Sequence, residues 1–128
     1  MESKLVISFE GSFIRVFSKG NKSYDSSFNL WQQVVEKCRE HDCFNVLGVA
    51  DSGKYLKTME AFSHAKLFDE LGITNKYRIA WVELNPEVIE TTRFIETVLM
   101  NRGLPGRLFT TEADAKEWLL SEKNVVDN

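Results

Sequence analysis

The sequence lacks the long apolar stretches that mark membrane helices, and it contains few cysteines, prolines and histidines. Among 128 residues there are two of each, and no run approaches the roughly 18 apolar residues of a membrane span. The first residues, MESKLVISFEGSF, also lack the apolar core of a signal peptide. We therefore expect a cytoplasmic protein with reduced thiols and no stable membrane insertion.

The side chains that would support a metal site or catalysis are also scarce. Cys38, His41 and Cys43 lie close together, but no second Cys or His pair with ligand spacing completes a tetrahedral zinc site. No glycine-rich phosphate loop and no nucleophile with a base and an acid in a recognisable motif occurs, so we expect no cofactor and no catalytic residue. The net charge of −3 disfavours nucleic acid as a partner.

The sequence does contain an alternation of β-rich runs and amphipathic helices. The predicted strands are residues 4–10, 13–18, 43–50, 77–84 and 106–110, the first two joined by a two-residue Gly11-Ser12 turn. The predicted helices are residues 28–41 with Ser26 or Ser27 as N-cap, 58–71 ended by Gly72, 86–102, and 112–120 capped by Thr111. This β-β-α-β-α-β-α-β-α order predicts one α/β domain, residues 1–123, and a flexible tail, residues 124–128. Its sheet is expected to be mostly parallel, with about five strands and an antiparallel strand from the N-terminal hairpin.

The C-terminal third resembles a known family. The segment IAWVELNPEVIETTRFIETVLMNRGLPGRLFTTEADAKEWL is similar to the C-terminal half of the SpoIIAA-like proteins, small bacterial domains of the STAS superfamily. The similarity rests on the IAWV strand, the helix ending FIETVLMNRG, a short strand with Arg107 and Phe109, and a final helix with Trp118. It implies a STAS fold, related to Sec14-like lipid-binding domains, and a regulatory or protein-interaction role without catalysis.

The resemblance also suggests where a regulatory phosphate would be added. Anti-sigma-factor antagonists of this superfamily carry a phosphorylatable Ser or Thr in an Asp-Ser-Ser/Thr-Gly context, at the start of the helix after the central strand. Asp51-Ser52-Gly53 is similar to that motif but lacks one position and precedes the predicted helix. Thr58 lies at the helix start without the motif. Ser52 and Thr58 are therefore the candidate phosphorylation sites.

A loop, residues 51–57, is predicted after the third strand, and the predicted working surface is residues 51–55 of this loop together with the start of the second helix. Loops at the carboxyl ends of parallel strands are common binding sites, although a plain turn would also explain Asp51-Ser52-Gly53. On the third helix, Phe94 points away from the apolar stripe. It would extend this surface toward a protein partner or a second copy of the chain. The candidate contact residues are Asp51, Ser52, Lys54, Tyr55, Thr58 and Phe94.

The alternative function is the binding of a small molecule or a lipid. An apolar cleft between the second and third helices would hold the ligand, lined by Phe62, Leu67, Phe94 and Val98. His64, on the second helix, is expected to be packed rather than to act as a general base. The sequence leaves open the identity of the partner or ligand and the oligomeric state.

Overall fold

The strands lie side by side in the order in which they occur in the chain. The computed structural model describes residues 3–55 and 62–121. The strands are β1 (Lys4–Phe9), β2 (Ile14–Lys22), β3 (Asn45–Tyr55), β4 (Arg78–Glu83) and β5 (Arg107–Phe109). The helices are α1 (Tyr24–His41), α2 (Ser63–Leu71), α3 (Ile89–Asn101) and α4 (Glu112–Leu120). Strands β1 and β2 are antiparallel and the other neighbours are parallel, so the predicted element order and mostly parallel five-stranded sheet are confirmed.

Alternating side chains along the strands fill two apolar cores, one on each face of the sheet. On one face, Val46 and Ile79 pack beneath α1, α2 and α3. On the other face, Leu47 and Ala80 pack against α4. Three helices therefore cover one face and a single helix covers the other. Among the described residues, none of these helices is both long and apolar enough to cross a membrane.

On the three-helix face, the ring of Trp81 packs directly on a glycine of the neighbouring strand. Gly48 of β3 lies opposite Trp81 of β4, and the indole ring lies across the glycine. A Cβ atom at Gly48 would lie 2.0 Å from the ring atoms Cε3 and Cζ3 of Trp81. Because glycine has no side chain, the indole of Trp81 occupies the space that a side chain at position 48 would fill.

The N-terminal hairpin differs from the prediction at both ends of its second strand. The last pair of the ladder joins Phe9 to Ile14, so the connection has four residues rather than the predicted two-residue Gly11-Ser12 turn. The backbone N–H of Glu10 donates to the carbonyl of Phe13 at 2.8 Å and closes this loop. Strand β2 then continues to Lys22 because it pairs with a long β3.

Helix α1 begins four residues before its predicted start. Ser23, not Ser26 or Ser27, is the N-cap: its side chain accepts a hydrogen bond from the Ser26 backbone N–H at 3.0 Å. The Ser26 hydroxyl accepts one from the Ser23 N–H at 3.0 Å in return. This reciprocal pair is a capping box built from two serines, a variant of the usual Ser/Thr and Glu/Gln pattern.

The predicted loop after the third strand is strand up to residue 55. Strand β3 continues past Ala50 because Lys19, Gly20 and Lys22 of β2 pair with Asp51, Ser52 and Tyr55. The placement of residues 51–55 in a loop is therefore wrong.

The remaining helix predictions have mixed outcomes. Thr58, the predicted start of the second helix, and the predicted tail lie outside the described residues. Gly72, with φ of 74°, ends α2 as predicted. A short 3₁₀ turn, Pro86–Val88, precedes α3 where one continuous helix was expected.

Candidate functional site

Glu83, the last residue of β4, accepts three hydrogen bonds, two from Ser52 of β3 and one from Asn85. Its Oε1 accepts from the Ser52 hydroxyl at 2.7 Å, and its Oε2 accepts from the Ser52 backbone N–H at 3.0 Å. The Asn85 N–H also donates to Oε2 at 3.1 Å, and the Asn85 side chain donates to the Ser52 carbonyl at 2.7 Å. Strand β4 ends at Glu83, so no β4 residue pairs with Ser52. The Glu83 and Asn85 side chains supply the hydrogen bonds that such a residue would have made. We call Ser52, Glu83 and Asn85 the strand clasp.

The sequence-predicted contact residues fall into different environments. Ser52 is 1% exposed within the clasp, whereas Asp51 is half-buried. Lys54 is exposed, and its backbone N–H donates to Asn21 Oδ1 at 2.8 Å. Tyr55 ends β3, and Thr58 lies outside the described residues. Phe94 lies on α3 and is 52% exposed, so its predicted outward direction is confirmed.

The three-helix face contains a cavity of about 60 Å³ close to the clasp. Helices α1, α2 and α3 surround it, and β4 and the start of β5 form its floor. Its apolar wall consists mainly of Leu30, Trp31, Phe68, Trp81, Ile95 and Leu99. The Trp31 ring centroid lies 5.3 Å from that of Trp81 and 5.0 Å from that of Phe68, so an aromatic cluster forms one side.

A lysine ammonium lines this cavity. Lys22, at the end of β2, is only 8% exposed, and its Nζ donates to the Ser18 hydroxyl at 3.0 Å. Burial lowers the pKa of Lys22 below its usual value, while the negative charge of Glu83 opposes that shift. The clasp therefore helps to keep a buried cation in its charged form.

A histidine with an unpaired ring nitrogen lies in the same cavity. His64 extends from the first turn of α2, and its Nδ1 is buried without a hydrogen-bond partner among the described residues. Burial, together with the smaller effect of the nearby Lys22 charge, lowers the pKa of His64 to about 4. The imidazole is therefore neutral at physiological pH.

The predicted apolar cleft is not where the cavity lies. Leu67 is fully buried and Val98 is 6% exposed, so both fill the apolar core instead of leaving a gap. Phe62 is 58% exposed, with the Arg102 guanidinium 5.8 Å from its ring centroid, and Phe94 also faces solvent. None of the four predicted residues lines the cavity.

Lys22 and His64 were not identified as a site from the sequence. Lys22 falls in a polar stretch that resembles a turn, and His64 lies on an ordinary amphipathic helix. They meet because β2 extends to Lys22 and because α2 packs over the end of the sheet. Because Lys22 and His64 are far apart in the chain, no local sequence pattern indicates that they come together.

Comparison with known proteins supports the fold and no specific role. The sequence matches no protein-family model, and no curated protein is similar to it in sequence. One similar solved structure is an uncharacterized protein of the DUF3478 family with a SpoIIAA-like fold, from Shewanella loihica PV-4. It is 16% identical, with a TM-score of 0.59, and the match covers 93% of this chain and 96% of that one. The chain has a SpoIIAA-like fold, as its C-terminal third suggested.

Proposed function

We propose that the protein is a non-enzymatic binding module that holds a small organic anion in the cavity between α1, α2 and α3. The observation that carries this proposal is the buried Nδ1 of His64, which has no hydrogen-bond partner in the described part of the chain and lies in a cavity that Lys22 also lines. Buried polar atoms in proteins almost always have hydrogen-bond partners, so an exception beside a cavity suggests a ligand or water that supplies one.

Two of the polar groups that line the cavity, Lys22 and His64, suit a carboxylate. Glu96 also lines it, and its Oε2 accepts from the Leu108 N–H at 2.9 Å. The Lys22 ammonium has three N–H donors, of which one is directed to Ser18. The neutral His64 ring can donate from Nδ1 in one of its tautomers. A carboxylate would accept from both groups, and a low-dielectric apolar wall would strengthen these charge-assisted bonds.

The size of the cavity restricts the ligand. At about 60 Å³ it is smaller than the ~150 Å³ cavity that accommodates benzene, so it admits only a few non-hydrogen atoms. A short-chain carboxylate such as acetate or propionate fits this limit. A lipid chain would require the helices to separate, which disfavours the lipid form of the predicted ligand-binding function.

Fluorine NMR of protein labelled with fluorotryptophan tests the proposal directly. Trp31 and Trp81 line the cavity and Trp118 lies on the opposite face of the sheet, so the three tryptophans report on different places. We expect acetate and propionate, at constant ionic strength, to shift the Trp31 and Trp81 signals saturably and to leave Trp118 unchanged. A Trp118→Phe variant assigns the third signal.

Matched lysine variants provide the control for this experiment. Lys22→Met keeps the length of the side chain and removes its charge, whereas Lys54→Met changes an exposed lysine of the neighbouring strand. We expect Lys22→Met to abolish the shifts and Lys54→Met to retain them, with both variants showing cooperative urea unfolding. Identical titrations for the two variants, or no saturable shift in the unsubstituted protein, would contradict the proposal.

A second candidate function is recognition of a protein partner at the end of β3. It is favoured by the exposed Lys54, by its position beside the clasp, and by the 52% exposure of Phe94. We expect joint substitution of Lys54, Tyr55 and Thr58 by alanine to abolish co-purification of a partner without lowering thermal stability. Size-exclusion chromatography distinguishes a second copy of the chain from a different protein. Unchanged co-purification by the triple variant would count against this surface.

A further inference from the structure

A second, larger cavity lies at the other end of the parallel strands. Its volume is about 260 Å³, and it is bounded by the start of β4 and the segment that precedes β5. Met100, Leu104, Pro105 and Trp118 give it apolar walls. Two arginines, Arg78 and Arg107, also line it. Of the polar residues that line this cavity, only Arg107 also lines the cavity that contains Lys22 and His64.

Arg78 is held with part of its hydrogen-bonding capacity unused. Its guanidinium carbon lies 3.8 Å from the centroid of the Trp118 ring, and its Nη2 donates to the Trp118 carbonyl at 3.0 Å. Its Nε is buried without a hydrogen-bond partner among the described residues. Stacking on the indole fixes the plane of the guanidinium and leaves its Nη1 group as the donor that can reach an anion in the cavity.

Arg107 projects from the same face of the sheet as Arg78. In the β4–β5 ladder Arg107 pairs with Ala80, two residues after Arg78, so the two arginine side chains are diagonal neighbours. The Nη1 of Arg107 donates to the carbonyl of Gly106 at 3.1 Å, and the rest of its donors are available. The two guanidinium groups therefore converge on one cavity.

No carboxylate in residues 3–55 or 62–121 forms an ion pair with either arginine. The ion pairs in this part of the chain join Arg15 to Glu112, Lys37 to Glu40, and His41 to Glu40. Two positive charges beside apolar walls repel each other unless an anion lies between them. Their placement together is unfavourable for stability alone, which points to a ligand with negative charge.

We propose that Arg78 and Arg107 bind the phosphate group of a phosphate monoester, whose organic part lies against Met100, Leu104 and Trp118. A phosphate monoester carries close to two negative charges at neutral pH and has several acceptor oxygens, so it matches two guanidinium cations. A monocarboxylate would compensate only one of the cations. The volume of about 260 Å³ accommodates a phosphate with a small organic group.

Trp118 is a natural reporter for this site because Arg78 stacks on it. In fluorotryptophan-labelled protein at constant ionic strength, we expect phenyl phosphate to shift the Trp118 signal saturably and to leave Trp31 and Trp81 unchanged. Benzoate has a similar ring with one charge, and we expect it to bind roughly tenfold more weakly because it compensates one cation instead of two. Equal binding of benzoate would overturn the assignment to a dianion.

Inorganic phosphate distinguishes the source of the group. Binding of inorganic phosphate as tight as that of phenyl phosphate would support the two-arginine site and identify free phosphate as its ligand. Weaker binding of inorganic phosphate would support a monoester that uses the apolar wall. No saturable Trp118 shift with either compound would overturn the proposal, whatever the outcome for acetate at Trp31 and Trp81.

The variants Arg107→Gln and Arg93→Gln complete the test. The Arg107 side chain makes a single hydrogen bond among the described residues, and Arg93 is an exposed arginine of α3 outside the cavity lining. We expect Arg107→Gln to weaken phenyl phosphate binding roughly tenfold or more, and Arg93→Gln to leave it unchanged. Equal weakening by both variants would indicate general charge attraction and would contradict a site built from Arg78 and Arg107.

Discussion

The carboxylate of Glu83 accepts three hydrogen bonds in a place with little access to water, so its removal should destabilise the protein strongly. Glu83 is 6% exposed, and its carboxylate oxygens accept hydrogen bonds from the Ser52 N–H, the Ser52 hydroxyl and the Asn85 N–H. We expect Glu83→Ala to leave these donors unpaired and Glu83→Gln to preserve most of them. In the Gln variant, the amide oxygen would accept from both backbone N–H groups, and the amide nitrogen would donate to the Ser52 hydroxyl.

The magnitudes follow from the number of donors affected. Each buried donor left unpaired destabilises a protein by about 1–3 kcal/mol, and water entering the space vacated by the side chain recovers part of that. We therefore expect Glu83→Ala to lower the free energy of unfolding by about 3–5 kcal/mol. Glu83→Gln loses only the charge contribution and should cost about 1 kcal/mol. The larger value is a substantial share of the 5–15 kcal/mol typical of a domain.

Urea unfolding followed by circular dichroism measures these differences, with Glu87→Ala as the matched control. Glu87 is an exposed glutamate just beyond the clasp, and its substitution should change stability by less than about 0.5 kcal/mol. If the alanine and glutamine variants at position 83 are equally stable, the hydrogen bonds do not carry the effect. If all three variants unfold together with the unsubstituted protein, the clasp contributes nothing to stability.

Two further predictions concern the three-helix face. Gly48→Ala places a Cβ atom on the indole of Trp81, so we expect a loss of about 1–3 kcal/mol in urea unfolding. Trp81→Leu, introduced together with Gly48→Ala, should recover part of the lost stability. If the double variant instead loses the sum of the two separate effects, the clash is contradicted. The second prediction concerns the dependence of stability on pH. His64 stays neutral in the folded protein down to about pH 4, whereas in the unfolded chain it gains a proton below about pH 6.5. Stability should therefore fall from pH 7 to pH 5, by at most about 2 kcal/mol from this group. A His64→Gln variant with the same pH slope would refute that origin.

The fold was predictable because its signals are local. Residues 79–82 of the fourth strand are apolar in succession, Thr111 caps α4 through the Asp114 N–H, and Gly72 ends α2. Each of these depends on residues within a few positions of one another. Such signals accumulate along the chain and specify the element order, even though individual boundaries shift by several residues.

The end of β3 was mispredicted because its stabilising partners are remote in sequence. Asp51-Ser52-Gly53 has the composition of a turn, and polar residues in a central strand would normally leave donors unpaired. Glu83 and Asn85 supply the missing partners from more than 30 residues away. The two cavities were missed for the same reason, since Lys22 meets His64 and Arg78 meets Arg107 only after the sheet has formed.

The clasp also bears on the predicted phosphorylation sites. The Ser52 hydroxyl lies 2.7 Å from a carboxylate oxygen of Glu83 and is 1% exposed, so a kinase would have to open the end of β3 to reach it. A phosphate there would carry between one and two negative charges against Glu83, and like charges at that distance repel strongly. Modification of Ser52 would therefore release the strand end rather than add a contact.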